Sequence, residues 1–125
     1  MNGKYRILIV DDEEKICKLI EKFLLKNGFD VLIACSGEDA LNVIEKEEFD
    51  LMILDKRMPG INGVGVLREL LYRGMALPVI VLSGVQDLHG NIDEIKAMGY
   101  SDILVKPVEL FFLLECINKK LNRNE

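Results

Sequence analysis

The stretch LMILDKRMPG, residues 51–60, runs four apolar residues into one aspartate, then two cations and a Pro-Gly breaker. A continuous apolar run of about four to eight residues bounded by turn signals reads as a strand buried on both faces. Four further runs have the same character: YRILIV (5–10), DVLIA (30–34), LPVIVL (77–82) and DILV (102–105), so that with DLMIL (50–54) five strands are predicted. Amphipathic stretches separate them. Ile16, Leu19, Ile20, Phe23 and Leu24 fall at helical spacing before Asn27-Gly28, a helix stop. A second helix is predicted over 36–47, its opening SGED a loose capping box with Asp39 in place of Glu or Gln. A third is predicted over about 63–73, a fourth over about 88–98, and a fifth over about 108–122 with Leu110, Leu113, Leu114, Ile117 and Leu121 on one stripe. Strands alternating with helices through short links imply a parallel α/β sheet with right-handed crossovers and helices on both faces.

Composition narrows the function. The 125 residues, half of them hydrophobic, suit a single domain, 1–125, with its own core. A formal charge of −5 disfavours nucleic acid and anionic membrane as partners. Cys17, Cys35 and Cys116 are widely spaced and form no CxxC, so neither a disulfide framework nor a zinc site is indicated, and reduced, buried thiols are expected. No apolar run approaches a membrane span and the N-terminus lacks a signal peptide's apolar core, which makes the cytoplasm the expected location.

In open α/β sheets ligands bind beyond the carboxyl ends of the strands. Those ends carry Asp11, Asp12, Glu13 and Glu14 after the first strand, Asp55 after the third, Ser83-Gly84 after the fourth and Lys106-Pro107 after the fifth. Each has an ordinary explanation: paired acids favour a helix N-terminus, and Asp or Ser-Gly after a strand forms turns. Their joint placement at four strand ends does not. If the strand order is 2-1-3-4-5, Asp11, Asp12 and Asp55 converge, and three neighbouring carboxylates call for a hard divalent cation, magnesium above all. Lys106 and Ser83 add a point charge and a hydroxyl at the same rim.

These spaced motifs, covering nearly the whole chain, resemble those of two-component response regulator receiver domains. The resemblance implies a flavodoxin-like (βα)5 three-layer sandwich of order 2-1-3-4-5. It implies that Asp55 accepts a phosphoryl group from a phosphohistidine of a sensor histidine kinase or a histidine phosphotransfer protein. Mg2+ or Mn2+ would be held by Asp12, Asp55 and the Arg57 carbonyl, with Asp11 acting mostly through a water. Ser83 and Lys106 would engage the phosphoryl oxygens, and the altered surface would control an effector domain or protein. On this reading the chain catalyses only its own phosphorylation and dephosphorylation. The Lys106-Pro107 bond would be cis, and a homodimer through the fifth strand and the fourth and fifth helices is a further expectation.

The sequence departs from that family at several positions. Ile103 stands where an aromatic residue is usual, and Tyr100 would replace it only from a differently aimed backbone. The segment from Ser83 to Lys106 is one residue longer than expected and contains His89-Gly90-Asn91. Phe111 and Phe112 stand where polar residues are common, and Ile103 with one of them is expected to form an apolar partner patch, the alternative being packing of one against a neighbouring helix. Lys56 is expected to contribute its backbone amide. The Arg57 side chain, opposite Val85, either pairs with the phosphoryl group or with a nearby acid and hinders the attacking water, or is a solvated loop arginine. A flavodoxin-like electron carrier is disfavoured because DDEE would repel a phosphate, and a haloacid-dehalogenase-like phosphatase because Arg57 occupies the place of its second acid. A pseudo-receiver that works by protein binding alone is the remaining alternative.

Overall fold

The computed structural model describes residues 4–85 and 91–122. Strands and helices alternate in the order β1 (Arg6–Val10), α1 (Glu14–Lys26), β2 (Asp30–Ala34), α2 (Gly37–Lys46), β3 (Leu51–Asp55), α3 (Gly63–Tyr72), β4 (Val79–Ser83), α4 (Ile92–Ala97), β5 (Ile103–Val105) and α5 (Leu110–Lys120). The sheet is parallel throughout, ordered β2-β1-β3-β4-β5. This is the flavodoxin-like arrangement, with β3 at the centre and helices on both faces.

Side chains alternate across a strand, so each strand feeds two cores. Ile7, Ile9, Leu51, Ile53, Ile80 and Leu82 meet Cys17, Ile20 and Leu24 of α1 and Leu113 and Ile117 of α5. Leu8, Val10, Met52, Leu54, Val79 and Val81 meet the buried stripes of α2, α3 and α4. Every residue of β3 and β4 is buried, which is why LMILD and VIVLS are apolar without a break until their last residue.

Element ends follow local chemistry. β4 begins at Val79, two residues later than expected, because Pro78 has no N–H to pair. The Ser36 hydroxyl accepts from the Asp39 amide at 3.0 Å and so makes one half of the expected capping box. α5 starts at Leu110, after its predicted start, since the Glu109 carboxylate caps it by accepting from the amides of Phe111 and Phe112. The predicted start of α4, with His89 and Gly90, lies outside the described residues, and Asn91, at φ 60° in the left-handed region, holds the N-cap position without a side-chain capping bond. The Lys106-Pro107 bond is cis. Cys17 is buried and Cys116 half-buried, whereas Cys35 is exposed, because it lies one residue past β2 in the turn to α2. Burial, followed by the nearby Asp11 charge, pushes the Cys17 thiol up to about 12.

Candidate functional site

β1, β3 and β5 end on one rim. Val10 pairs with Leu54, so the next residues, Asp11 and Asp55, stand side by side. One carboxylate oxygen each from Asp11, Asp12 and Asp55 lie within 4.8 Å of one another. Asp11 and Asp55 are only 2 % and 4 % exposed, while Asp12 faces solvent. From β5, Lys106 reaches back with its Nζ 2.9 Å from Asp55 Oδ1. The same ammonium is 3.7 Å from Asp11 Oδ2 and 3.7 Å from Glu13 Oε1.

The turn after β1 is built around Asp11. Its Oδ1 accepts from the Glu13 amide at 3.0 Å, an Asx turn, and its carbonyl accepts from Cys17 Sγ at 3.3 Å. Its Oδ2 is buried, without a hydrogen-bond partner among the described residues. Burial raises the Asp11 carboxyl to about 6; the Glu13 amide opposes that shift, the Asp55 charge adds to it and Lys106 opposes it. Burial works against the charge on Lys106, but the hydrogen bond to Asp55 and the charges of Asp11, Asp55 and Glu13 prevail and hold its ammonium above the ordinary lysine value.

Beyond Asp55 the chain must leave the sheet quickly. Gly60 at φ 75° makes the turn and Asn62 caps α3 by accepting from the Gly65 amide at 3.1 Å. Gly63 then passes so close to β3 that a Cβ there would sit 2.8 Å from both the Asp55 carbonyl oxygen and Lys56 Cα. The Lys56 amide is not available to the site as expected: it donates to the Leu82 carbonyl at 2.8 Å, continuing the sheet. The Arg57 amide is the one that faces Asp55, at 3.5 Å from Oδ1. Ser83 is fully buried, and its hydroxyl donates to the Gly84 carbonyl at 3.3 Å. Asp12, Asp55, Arg57, Val85 and Lys106 line an open cleft of about 720 Å³ that continues between α1 and the start of α5.

The expected apolar patch changes. Ile103 packs inward against the α2–α3–α4 core, whereas α5 lies on the opposite side of β5, so Ile103 and Phe112 do not form one surface. Among the described residues the exposed large apolar side chains of β5 and α5 are Val105, Phe111 and Phe112. Phe111 makes an edge-to-face contact with Phe23 of α1, with ring centroids 5.3 Å apart. Tyr100 is half-buried against the same core as Ile103, in the turn that precedes β5, at the opposite end of that strand from Lys106. It therefore does not stand in for the missing aromatic.

A rim of three acids and a lysine on this fold defines the class. A family model for the response regulator receiver domain matches residues 7–118, and the chain belongs to that family. Among curated relatives, the transcriptional regulatory protein ZraR of Salmonella typhimurium is 32 % identical over 121 residues, covering 97 % of this chain and 27 % of that protein. The chain spans between 27 % and 51 % of the length of curated relatives of this kind. Among solved structures, the receiver domain of Francisella response regulator 1452 superposes with a TM-score of 0.87 at 30 % identity, covering 98 % of this chain and all of that one. The response regulator TrrA of Thermotoga maritima, solved in complex with Mg2+-BeF, superposes with a TM-score of 0.80 at 30 % identity, covering 93 % of this chain and 98 % of that one.

The residues fit the magnesium pocket of such domains on their own geometry. The converging donors are hard carboxylate oxygens, and among the described residues the buried Asp11 Oδ2 has no hydrogen bond, only the Lys106 ammonium at 3.7 Å. Among the described residues, no helix is long and apolar enough to cross a membrane.

Proposed function

We propose that this domain is an active phosphoacceptor in a two-component phosphorelay, with Asp55 taking the phosphoryl group from a phosphohistidine of a sensor histidine kinase or histidine phosphotransfer protein. The observation that carries this is the Asp55 carboxylate itself: at the end of β3, lining the cleft, and held 2.9 Å from Lys106 beside Asp11 and Asp12.

An Asp55 oxygen attacks phosphorus, the P–N bond to histidine breaks, and the imidazole nitrogen leaves with the bonding pair. Charge spreads over the equatorial oxygens in the transition state, so the protein's contribution is positioning and electrostatic stabilisation. Lys106 supplies a cation to one oxygen and the Arg57 amide faces the same region. Asp12, Asp55 and the Arg57 carbonyl, with Asp11 behind them, would hold Mg2+ or Mn2+, which would supply further neutralisation of that charge. The Ser83 hydroxyl exchanges its Gly84 carbonyl for a phosphoryl oxygen, and that exchange carries the switch to the surface. The acyl phosphate is labile, so the domain catalyses its own dephosphorylation and turns over no other substrate. The output is control of an effector domain or protein, in the cytoplasm, with a homodimer through the surface of α4, β5 and α5 as one form of it.

Intact-mass spectrometry after acetyl phosphate and Mg2+ tests this. Wild type should gain one phosphoryl group, EDTA should prevent it, and Asp55→Asn should lose it. Wild type unchanged in mass under these conditions would leave the pseudo-receiver reading, in which the domain acts by protein binding alone.

A further inference from the structure

Glu13 holds the N-cap position of α1, where an acidic side chain ordinarily accepts from the first free helix amides. It makes no such bond. Its backbone amide serves Asp11 instead, and its carboxylate lies 3.7 Å from Lys106 Nζ on the solvent side of the cleft. Lys106 thereby serves three acids: Asp55 in hydrogen-bond contact, and Asp11 and Glu13 at longer range. Of the three, Glu13 is by far the most exposed, with its side chain at 62 % against 2 % for Asp11 and 5 % for Asp55. With the exposed Asp12, it is one of the two solvent-facing carboxylates lining the cleft through which an anion reaches Asp55, and of those two it is the one that reaches Lys106, at 3.7 Å.

We infer that Glu13 is a positioning and specificity residue for the phosphodonor: it restrains Lys106 at the mouth of the site and repels donors in proportion to their negative charge. This rests on the phosphoacceptor reading of Asp55. Before transfer, Glu13 competes with the donor's phosphoryl oxygens for the same ammonium. A doubly charged small donor, such as acetyl phosphate, is disfavoured more than a singly charged one, such as phosphoramidate. A protein donor with cations beside its phosphohistidine loses that handicap, because its own charges pair with Glu13. The carboxylate therefore biases the site away from small metabolite donors and towards a basic protein surface.

The reaction used as a probe balances simply. With acetyl phosphate the P–O bond to acetate breaks as the bond from an Asp55 oxygen to phosphorus forms, and acetate leaves with the bonding pair without a proton. Glu13→Gln keeps the length and polarity of the side chain and removes the charge. A unit charge a few ångströms from a dianion in high dielectric alters its attraction enough for a rate increase of about three- to tenfold with acetyl phosphate at about 20 mM salt, shrinking to about twofold or less at about 0.5 M. With phosphoramidate the increase should be smaller at every salt concentration. Glu13→Asp, which retains the charge but falls short of Lys106, should stay near wild type in its preference between the two donors.

Beryllofluoride with Mg2+, titrated by NMR, gives a readout that does not depend on turnover: Glu13→Gln should bind this anion more tightly than wild type, by a factor that salt reduces. Equal salt-dependence of wild type and Glu13→Gln, or an equal gain with both donors, overturns the inference while leaving Asp55 as acceptor. If wild type takes no phosphoryl group from either donor, the phosphoacceptor reading fails and this inference with it.

Discussion

The two ends of β1 and β3 carry similar charges and treat them differently. At the amino end, Arg6 is well paired: its amide donates to Asp50 Oδ2 at 2.7 Å and its guanidinium to the Glu48 carbonyl at 2.9 Å and Glu47 Oε1 at 2.7 Å, while its cationic carbon lies 4.8 Å over the Phe49 ring. At the carboxyl end, Asp11, Asp12 and Asp55 crowd together, and one buried oxygen of Asp11 has no hydrogen bond. A fold selected for stability alone would balance both ends alike. On the phosphoacceptor reading, function lies at the carboxyl rim, where charge is left for a ligand to complete, whereas the charge of Arg6 at the amino end is already paired.

The largest way to sharpen that contrast is by pH. The folded protein raises the Asp11 carboxyl from 3.8 to about 6, burial being the main cause. Because the native state holds this proton more tightly than the unfolded chain does, the penalty is absent below about pH 4 and grows as pH rises through about 6, by about 3 kcal/mol at most. Denaturant unfolding of the metal-free protein should therefore show Asp11 lowering stability across that window. Asp11→Asn should remove the decline and raise stability at neutral pH, while weakening the response to Mg2+.

Next in size is the packing beneath the rim. Gly63→Ala would place a methyl group 2.8 Å from the backbone of Asp55 and Lys56. Separating α3 from β3 should cost about 2 kcal/mol, measured by chemical denaturation. It should also slow phosphorylation by shifting Asp55.

The smallest effect is expected at the balanced end. Arg6→Ala removes an exposed ion pair and a ring contact and should cost about 1 kcal/mol or less. Mg2+ binding and phosphorylation should be unchanged. A comparable functional loss there would erase the distinction between the two ends.

Most of this architecture was legible in the sequence because burial on both faces writes itself as uninterrupted apolar runs, of which LMIL before Asp55 is the clearest. Asp11, Asp12, Asp55, Ser83 and Lys106 were legible for a topological reason: once strands and helices alternate, the residue after each run lies on the rim. What the sequence hid was side-chain direction. Ile103 alternates inward, the Lys56 amide is taken by Leu82, and the Ser83 hydroxyl by the Gly84 carbonyl. Glu13 was hidden for a different reason. Its place at a helix start suits an ordinary cap, and only the position of Lys106 Nζ shows the carboxylate turned the other way. Gly63 reads as a helix opener until the proximity of β3 is known.

If the charge left unbalanced at the carboxyl rim is the seat of function, the native state should bind Mg2+ there through Asp55. Thermal unfolding at neutral pH, with EDTA and with millimolar Mg2+, measured on wild type beside Asp55→Asn, tests it most directly. Mg2+ should raise the melting temperature of wild type by several degrees, through binding to the native state alone, and that of Asp55→Asn much less. Identical melting with and without Mg2+ in wild type, or an equal rise in both proteins, would contradict it.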